Sequence, residues 1–507
     1  MVDTTSGEKS KHLPTGVTGL DVVLHGGLLR GAMYLVTGAP GTGKTVLSSQ
    51  IAFHRAAAGE NVVYVTTFSE SHARLLSNLE TFTFFDRSLV QSRLTLLSGV
   101  AALEEGGLKR FQAMLSQAVR EHHASLIVID SLNTASELAS SSFVYRKFLR
   151  ELGTLLSLVG CTALLVAHKG EGQEMLHQFA ADGIIELDQK MLGMRLTREV
   201  MILKQRGSAH LGGRHVFDIG DSGLTVHPRR EALLLDRELA TRPSEHKSRF
   251  GIRGLDDMLE GGVPSASMTA VMGAPGSGKT LLGLHLLKEG LSLGQPSLYF
   301  GFYETPPRLI AKAEGVGLRL RESVESGLLE VQWRQPTEQF LDSIAEQILE
   351  RVYRNKVKRL FLDGVDGLMQ AVAHPERFPV FFTALSNELR ALGVSSAVSM
   401  ETPFGGPELG LAPVGLSATV ENIIFVRYVE LRARLHRLIS ILKVRESNYD
   451  PSIREFHITP QGLEVASTFD SAEVVLGQMA LGGMRAPAPG PPSSHSRSPQ
   501  EGSGEDV

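Results

Sequence analysis

Two octets in this 507-residue chain carry the residue types needed to hold a polyphosphate. Gly38-Ala39-Pro40-Gly41-Thr42-Gly43-Lys44-Thr45 and Gly273-Ala274-Pro275-Gly276-Ser277-Gly278-Lys279-Thr280 both fit G-x-x-x-x-G-K-[ST] without deviation. Glycines let the backbone curl until successive amide N–H groups converge on phosphate oxygens. A helix that starts at the lysine aims the positive end of its dipole at the same anion. Lys44 and Lys279 would reach the β- and γ-phosphates, and the hydroxyls of Thr45 and Thr280 would hold Mg2+. ATP with Mg2+ is the expected ligand pair. A glycine-rich turn can match such a pattern by accident, but two matches at one phase of a repeat leave accident a poor account.

A metal-bound triphosphate also calls for a carboxylate at the end of a buried strand. Asp130 follows Leu126-Ile127-Val128-Ile129, and Asp363 follows Leu360-Phe361-Leu362. An aspartate after an apolar run is often only a turn residue. Paired with the loops, Asp130 and Asp363 read as groups that hold the metal through water.

The elements that must position these groups are legible because the chain repeats itself. Thr15-Gly16-Val17-Thr18-Gly19-Leu20-Asp21 recurs as Phe250-Gly251-Ile252-Arg253-Gly254-Leu255-Asp256, Gly26-Gly27 recurs as Gly261-Gly262, and the octets recur in the same register. In each copy a β-rich run (Met33 to Thr37, Met268 to Met272) leads into the loop. A helical pattern follows (Thr45 to Ala58, Thr280 to Leu293), then a second β-rich run (Asn61 to Thr67, Ser297 to Phe302). Alternating β and α signals, with short unalternating apolar strands, predict α/β domains built on a mostly parallel sheet flanked by helices. The expected division is a tail over 1–12, a first domain over 13–228, a charged linker over 229–248, a second domain over 249–470 and a tail over 471–507. The linker is dense in charge apart from Ala232-Leu233-Leu234-Leu235, which reads as a short packed turn. From about Gly483 the tail is rich in Pro, Ser and Gly and is expected to be disordered.

Bulk composition narrows the class. Hydrophobic residues make up 42% and charged residues 21%, ordinary for a soluble protein. A net charge of −4 argues against a broadly basic nucleic-acid binder. The single cysteine, Cys161, excludes an internal disulfide and a cysteine-based zinc site, and its apolar neighbours make it a small core residue. The polar first residues lack a signal-peptide core, and no run reaches the ~20 apolar residues needed to span a bilayer. A cytoplasmic protein with no membrane contact is the expectation.

The chain resembles the KaiC family, double RecA-type P-loop ATPases and autokinases known from the cyanobacterial circadian oscillator, with relatives across bacteria and archaea. The resemblance runs from about 13 to 470. It is carried by the Thr15 to Leu28 opening and its echo at Gly251 to Val263, by both loops, and by a late basic pair in each repeat, Lys204-Gln205-Arg206-Gly207 and Lys443-Val444-Arg445. Ile423-Ile424-Phe425-Val426-Arg427-Tyr428-Val429-Glu430 and Ile453-Arg454-Glu455-Phe456 are also similar to the family's second repeat. It implies two tandem RecA-like domains and a homo-oligomer, a hexameric ring with ATP between subunits. It further implies that Lys204, Arg206, Lys443 and Arg445 reach toward the γ-phosphate of the neighbouring subunit's ATP. A solvated strand carrying alternate basic residues is the plain alternative.

The chain departs from the family where the chemistry is done. The family places two adjacent glutamates after the second strand of each module. Here the first repeat reads Phe68-Ser69-Glu70-Ser71 and the second Phe302-Tyr303-Glu304-Thr305, so one glutamate of each pair is replaced. Neither Ser69 nor Tyr303 is a base near neutral pH, whereas Glu70 and Glu304 could still orient water. The family's phosphorylated Ser-Thr pair corresponds to Ser417-Ala418, so Ser417 is the retained acceptor and Thr419 lies one position beyond. Three functions compete: an ATPase and autokinase acting as a clock-like or signalling regulator, a nucleotide-gated scaffold with little hydrolysis, and a RecA-type DNA motor. The last finds no basic-aromatic stretch, Trp333 standing alone.

Overall fold

The computed structural model describes residues 11–67, 72–169, 180–234, 246–335, 339–402 and 416–483, with the backbone alone for 416–417 and 477–483. The first repeat opens with a two-residue pair, β1 (His12–Leu13) and β2 (Leu28–Leu29). It then builds a nine-stranded sheet from β3 (Met33–Gly38), β4 (Val62–Thr66), β5 (Leu94–Ser98), β6 (Leu126–Asp130), β7 (Thr162–His168), β8 (Gly183–Leu192), β9 (Arg195–Gln205), β10 (Arg214–Gly220) and β11 (Gly223–His227). The spatial order is β11-β10-β9-β8-β3-β7-β6-β4-β5. Strands β3 to β8 run parallel, and β9 to β11 close one side as an antiparallel meander.

The second repeat rebuilds the same plan. A short pair, β12 (Lys247–Ser248) and β13 (Val263–Pro264), precedes β14 (Met268–Gly273), β15 (Ser297–Gly301), β16 (Leu329–Trp333), β17 (Arg359–Asp363), β18 (Ser395–Glu401), β19 (Asn422–Leu431), β20 (Arg434–Val444), β21 (Arg454–Thr459) and β22 (Gly462–Val465). Their order, β16-β15-β17-β18-β14-β19-β20-β21-β22, reproduces the first sheet strand for strand. The expected two tandem α/β domains with mostly parallel sheets are what the chain forms.

Each sheet is buried on both faces, which is why its inner strands read as unbroken apolar runs. Tyr34 and Val36 of β3 pack toward the helix Lys44–Ala57, with Leu47 and Ile51. Met33 and Leu35, pointing the other way, pack with Phe111 and Phe148 of the helices Val100–Glu121 and Ser142–Val159. Cys161 lies fully buried in this second layer, and burial pushes its thiol up to about 12.

The charged stretch after the first domain is less of a free linker than its composition suggests. Arg230–Leu233 forms a four-residue helix with Ala232 buried, and its charges reach into the second repeat. Arg377 grips Glu231 at 2.5 and 2.8 Å and Asp342 at 2.7 and 2.6 Å. Arg230 donates to Glu388 at 3.3 Å. His227 lies between Asp218 of its own repeat and Glu346 of the other, at 3.0 and 2.8 Å, and His374 meets Glu199 at 2.8 Å. Arg195 stacks over the Phe340 ring at 4.0 Å. After the second sheet, the helix Asp470–Gly483 lays Ala472 and Val475 on Val429 and Leu438 of β19 and β20.

Candidate nucleotide sites

Both loops leave the C-terminal end of the strand that the rest of its sheet flanks, where a doubly wound sheet opens its binding crevice. Gly43 and Gly278, at φ 99° and 108°, take the left-handed conformation just before the helices that begin at Lys44 and Lys279. Only glycine adopts that turn without strain. The helices begin one residue before the expected start, at the lysines, so the helix N-terminus and the amine share one mouth.

Lys44 donates to the carbonyls of Gly38 and Ala39, both at 2.8 Å, and Lys279 to those of Gly273 and Ala274, both at 2.9 Å. Burial pulls both ammonium groups below the usual lysine range, opposed by Asp130 at the first and by Glu401 and Asp363 at the second. A buried cation beside a ring of N–H groups is a site shaped for an anion. Thr45 donates to Asp130 Oδ2 at 2.8 Å, and Thr280 to Asp363 Oδ2 at 3.0 Å. The strand-end aspartates thus stand against the loop threonines in both copies. This all-oxygen donor set suits a hard cation such as Mg2+. In the second loop the buried Ser277 hydroxyl has no hydrogen-bond partner among the described residues, as fits a cradle for an oxygen-rich ligand.

Residues outside the sequence motifs complete the arrangement. Tyr64 donates to Asp130 at 3.1 Å and Tyr299 to Asp363 at 2.9 Å. Both phenols are pushed well above their ordinary range, first by burial and then by the carboxylate beside them, so each remains a donor. The two tyrosines share the repeat offset of the loops, a signal that was open to reading. Ser399 adds a donor to Asp363 Oδ1 at 2.6 Å. Burial pushes Asp130 up, against the hydrogen bonds from Thr45 and Tyr64 and the charge of Lys44. The last residues of β7 and β18, His168 and Glu401, stand in register with Gly38 and Gly273 at the loop mouths.

Other expected site residues fall elsewhere. Glu70, with Ser69, lies outside the described residues, as does the side chain of Ser417. Glu304 is tied to Lys312 at 2.5 Å through one oxygen, while its other oxygen is buried without a partner among the described residues. Tyr303 is 58% exposed, and burial of its ring, with Asp366 and Glu401 nearby, raises its phenol further above neutrality. The basic pairs sit well back from their own loops. Lys204 faces Ile184, which neighbours Leu35, about 10 Å along the strand from Gly38. Lys443 faces Ile423, beside Ala270. Their amines donate to Ala181 at 2.6 Å and Val420 at 2.7 Å, and Arg445 donates to Ala418 at 2.7 Å. Arg206 approaches Asp182 at 3.9 Å.

A glycine loop at the switch point of a RecA-like sheet, with its threonine on a strand-end aspartate, defines a P-loop nucleotide-binding protein, present here in tandem. The family model of the KaiC ATPase matches residues 13–231 and 248–469. The chain belongs to the KaiC ATPase family. It is 27% identical over 485 residues to the circadian clock oscillator protein KaiC of Thermostichus vulcanus, covering 93% of this chain and 92% of that protein. It is 29% identical over 485 residues to the circadian clock protein KaiC3 of Synechocystis sp., covering 92% and 93%. With KaiC of Rippkaea orientalis the identity is 26% over 488 residues, covering 94% and 92%.

Proposed function

We infer that the chain binds Mg-ATP at both loops and hydrolyses it between subunits of a homo-oligomeric ring, working in the cytoplasm as a clock-like or signalling regulator. The observation that carries this reading is the threonine–aspartate contact behind each loop, at 2.8 and 3.0 Å, built twice. Lys44 and Lys279 exchange their carbonyl partners for phosphate oxygens. Thr45 with Asp130, and Thr280 with Asp363, hold Mg2+, which when bound offsets charge developing on the phosphates. Glu70 and Glu304 orient water. Lys204, Arg206, Lys443 and Arg445 lie too far along their strands to serve their own loops, which favours a role at a neighbour's nucleotide. Such fingers can contribute about 10³ to 10⁵ in rate. Ser417 would accept any phosphoryl group passed to the chain itself.

A second reading, a scaffold gated by bound ATP with little turnover, has one observation in its favour: Glu304 is held by Lys312 beside a tyrosine that cannot act as a base. Phosphate release separates the two. The Lys44→Ala, Lys279→Ala double variant is expected to lose about a hundredfold or more of the wild-type rate. Wild-type release no faster than the double variant's, with ATP still bound, would favour the scaffold. A double variant as active as wild type would sink the ATPase reading.

A further inference from the structure

In each repeat the strand beside the loop strand ends on a side chain that can accept a proton, but the two differ: His168 in the first repeat and Glu401 in the second. Strand β18 runs parallel to β14 with Glu401 opposite Gly273, the first residue of the loop. The Glu401 carboxylate reaches back to 3.7 Å from the Lys279 amine, and its side chain is 55% exposed. It is therefore next to the group that takes the terminal phosphates and open to water at the same time. In the first repeat β7 sets His168 opposite Gly38. The His168 backbone N–H is fixed by Asn133 at 2.9 Å, while the ring Nδ1 is buried without a hydrogen-bond partner among the described residues.

In the second repeat Glu304 orients water with one oxygen engaged elsewhere, which calls for a separate proton acceptor. Tyr303 is a phenol raised above its ordinary range, and one oxygen of Glu304 is held by Lys312. A carboxylate beside the phosphate-gripping lysine would only repel a triphosphate if its sole task were binding. Its presence makes sense if it acts on something that arrives with the phosphate.

We propose that Glu401 is the general base of the second repeat, and that His168 holds the matching place in the first. This deepens the hydrolysis reading above and rests on it. A water oxygen bonds to the γ-phosphorus as the bond from that phosphorus to the β–γ bridging oxygen breaks. The bonding pair leaves with ADP, and the water proton passes to the Glu401 carboxylate and then to solvent.

The test uses the full chain with the first loop silenced by Lys44→Ala, so that turnover reports the second repeat. Adding Glu401→Gln is expected to lower kcat about a hundredfold, the usual span of a lost general base, while a fluorescent ATP analogue binds no more weakly. Glu401→Asp should recover part of the rate. Were Glu401 only a neutralising partner of Lys279, Glu401→Gln would tighten the analogue and leave kcat within about threefold of its parent. That result overturns the assignment and leaves ATP hydrolysis standing. If Lys44→Ala turns over no faster than Lys44→Ala with Lys279→Ala, hydrolysis in the second repeat fails and the assignment falls with it. In the Lys279→Ala background, His168→Gln should give the corresponding loss.

Discussion

A buried lysine amine must place its donors somewhere, and Lys44 and Lys279 place them on carbonyls of their own loops. Phosphate oxygens offer the same geometry with a full counter-charge, so the exchange is favourable once a triphosphate arrives. The loops were legible in the sequence because each turn and the helix that follows it are built from contiguous residues. Asp130 and Asp363 were legible because a buried strand announces its own end. The tyrosines behind the aspartates needed the repeat offset as well. Glu401 and His168 were not legible: unlike residues erase a repeat signal, and only sheet order brings β18 and β7 beside the loops. Tyr299→Phe tests the outer layer of the second site. It removes one donor from Asp363, which keeps Thr280 and Ser399. Mg2+-dependent nucleotide binding at that site should weaken about tenfold or more, measured by Mg2+ titration in the Lys44→Ala background. Unchanged Mg2+ dependence would show that the phenol does not tune the aspartate.

At the scale of elements, the helix behind each loop must lie flat on its sheet if the loop is to stay shaped. In the second repeat the helix Lys279–Ser292 does so through Gly283. A Cβ there would stand 2.3 Å from ring atoms of Phe361 in β17. The matching residues in the first repeat are Ser48 and Val128: a larger helix residue with a smaller strand residue. Gly283→Ala therefore sets two effects against each other. Helix propensity gains about 1 kcal/mol, while forcing a methyl into a packed core costs about 1–3 kcal/mol. The core wins because Phe361 is fully buried and packs edge-on to Tyr299 at 5.7 Å. Urea unfolding should show a net loss of about 1 kcal/mol, and a gain would mean the ring moves freely. Pattern and propensity located these helices to within a residue. The tight approach was invisible, since the partner of Gly283 lies far along the chain.

At the scale of the whole molecule, charge joins the two repeats along the segment that the sequence marks as a charged linker with a short packed turn. Arg230 and Glu231 looked like linker charges because nothing local reveals Arg377, Asp342 and Glu388 waiting for them. His227 gives this contact a pH dependence. Burial pulls its imidazolium down, but hydrogen bonds to Asp218 and Glu346 outweigh that and raise it to about 9. A histidine raised in the folded state stabilises it fully below the unfolded value near 6.5 and loses that contribution as pH climbs through about 9. Thermal unfolding between those limits should show a loss on the order of 3 kcal/mol that His227→Gln abolishes. Equal slopes in both proteins would rule out the pair. The contact also has a direction: the first repeat offers its meander, and the second its helices. The position matching Glu199 is Leu438, and over Leu438 the chain folds its own terminal helix. The second repeat thus covers with its own helix the face that the first gives to its neighbour.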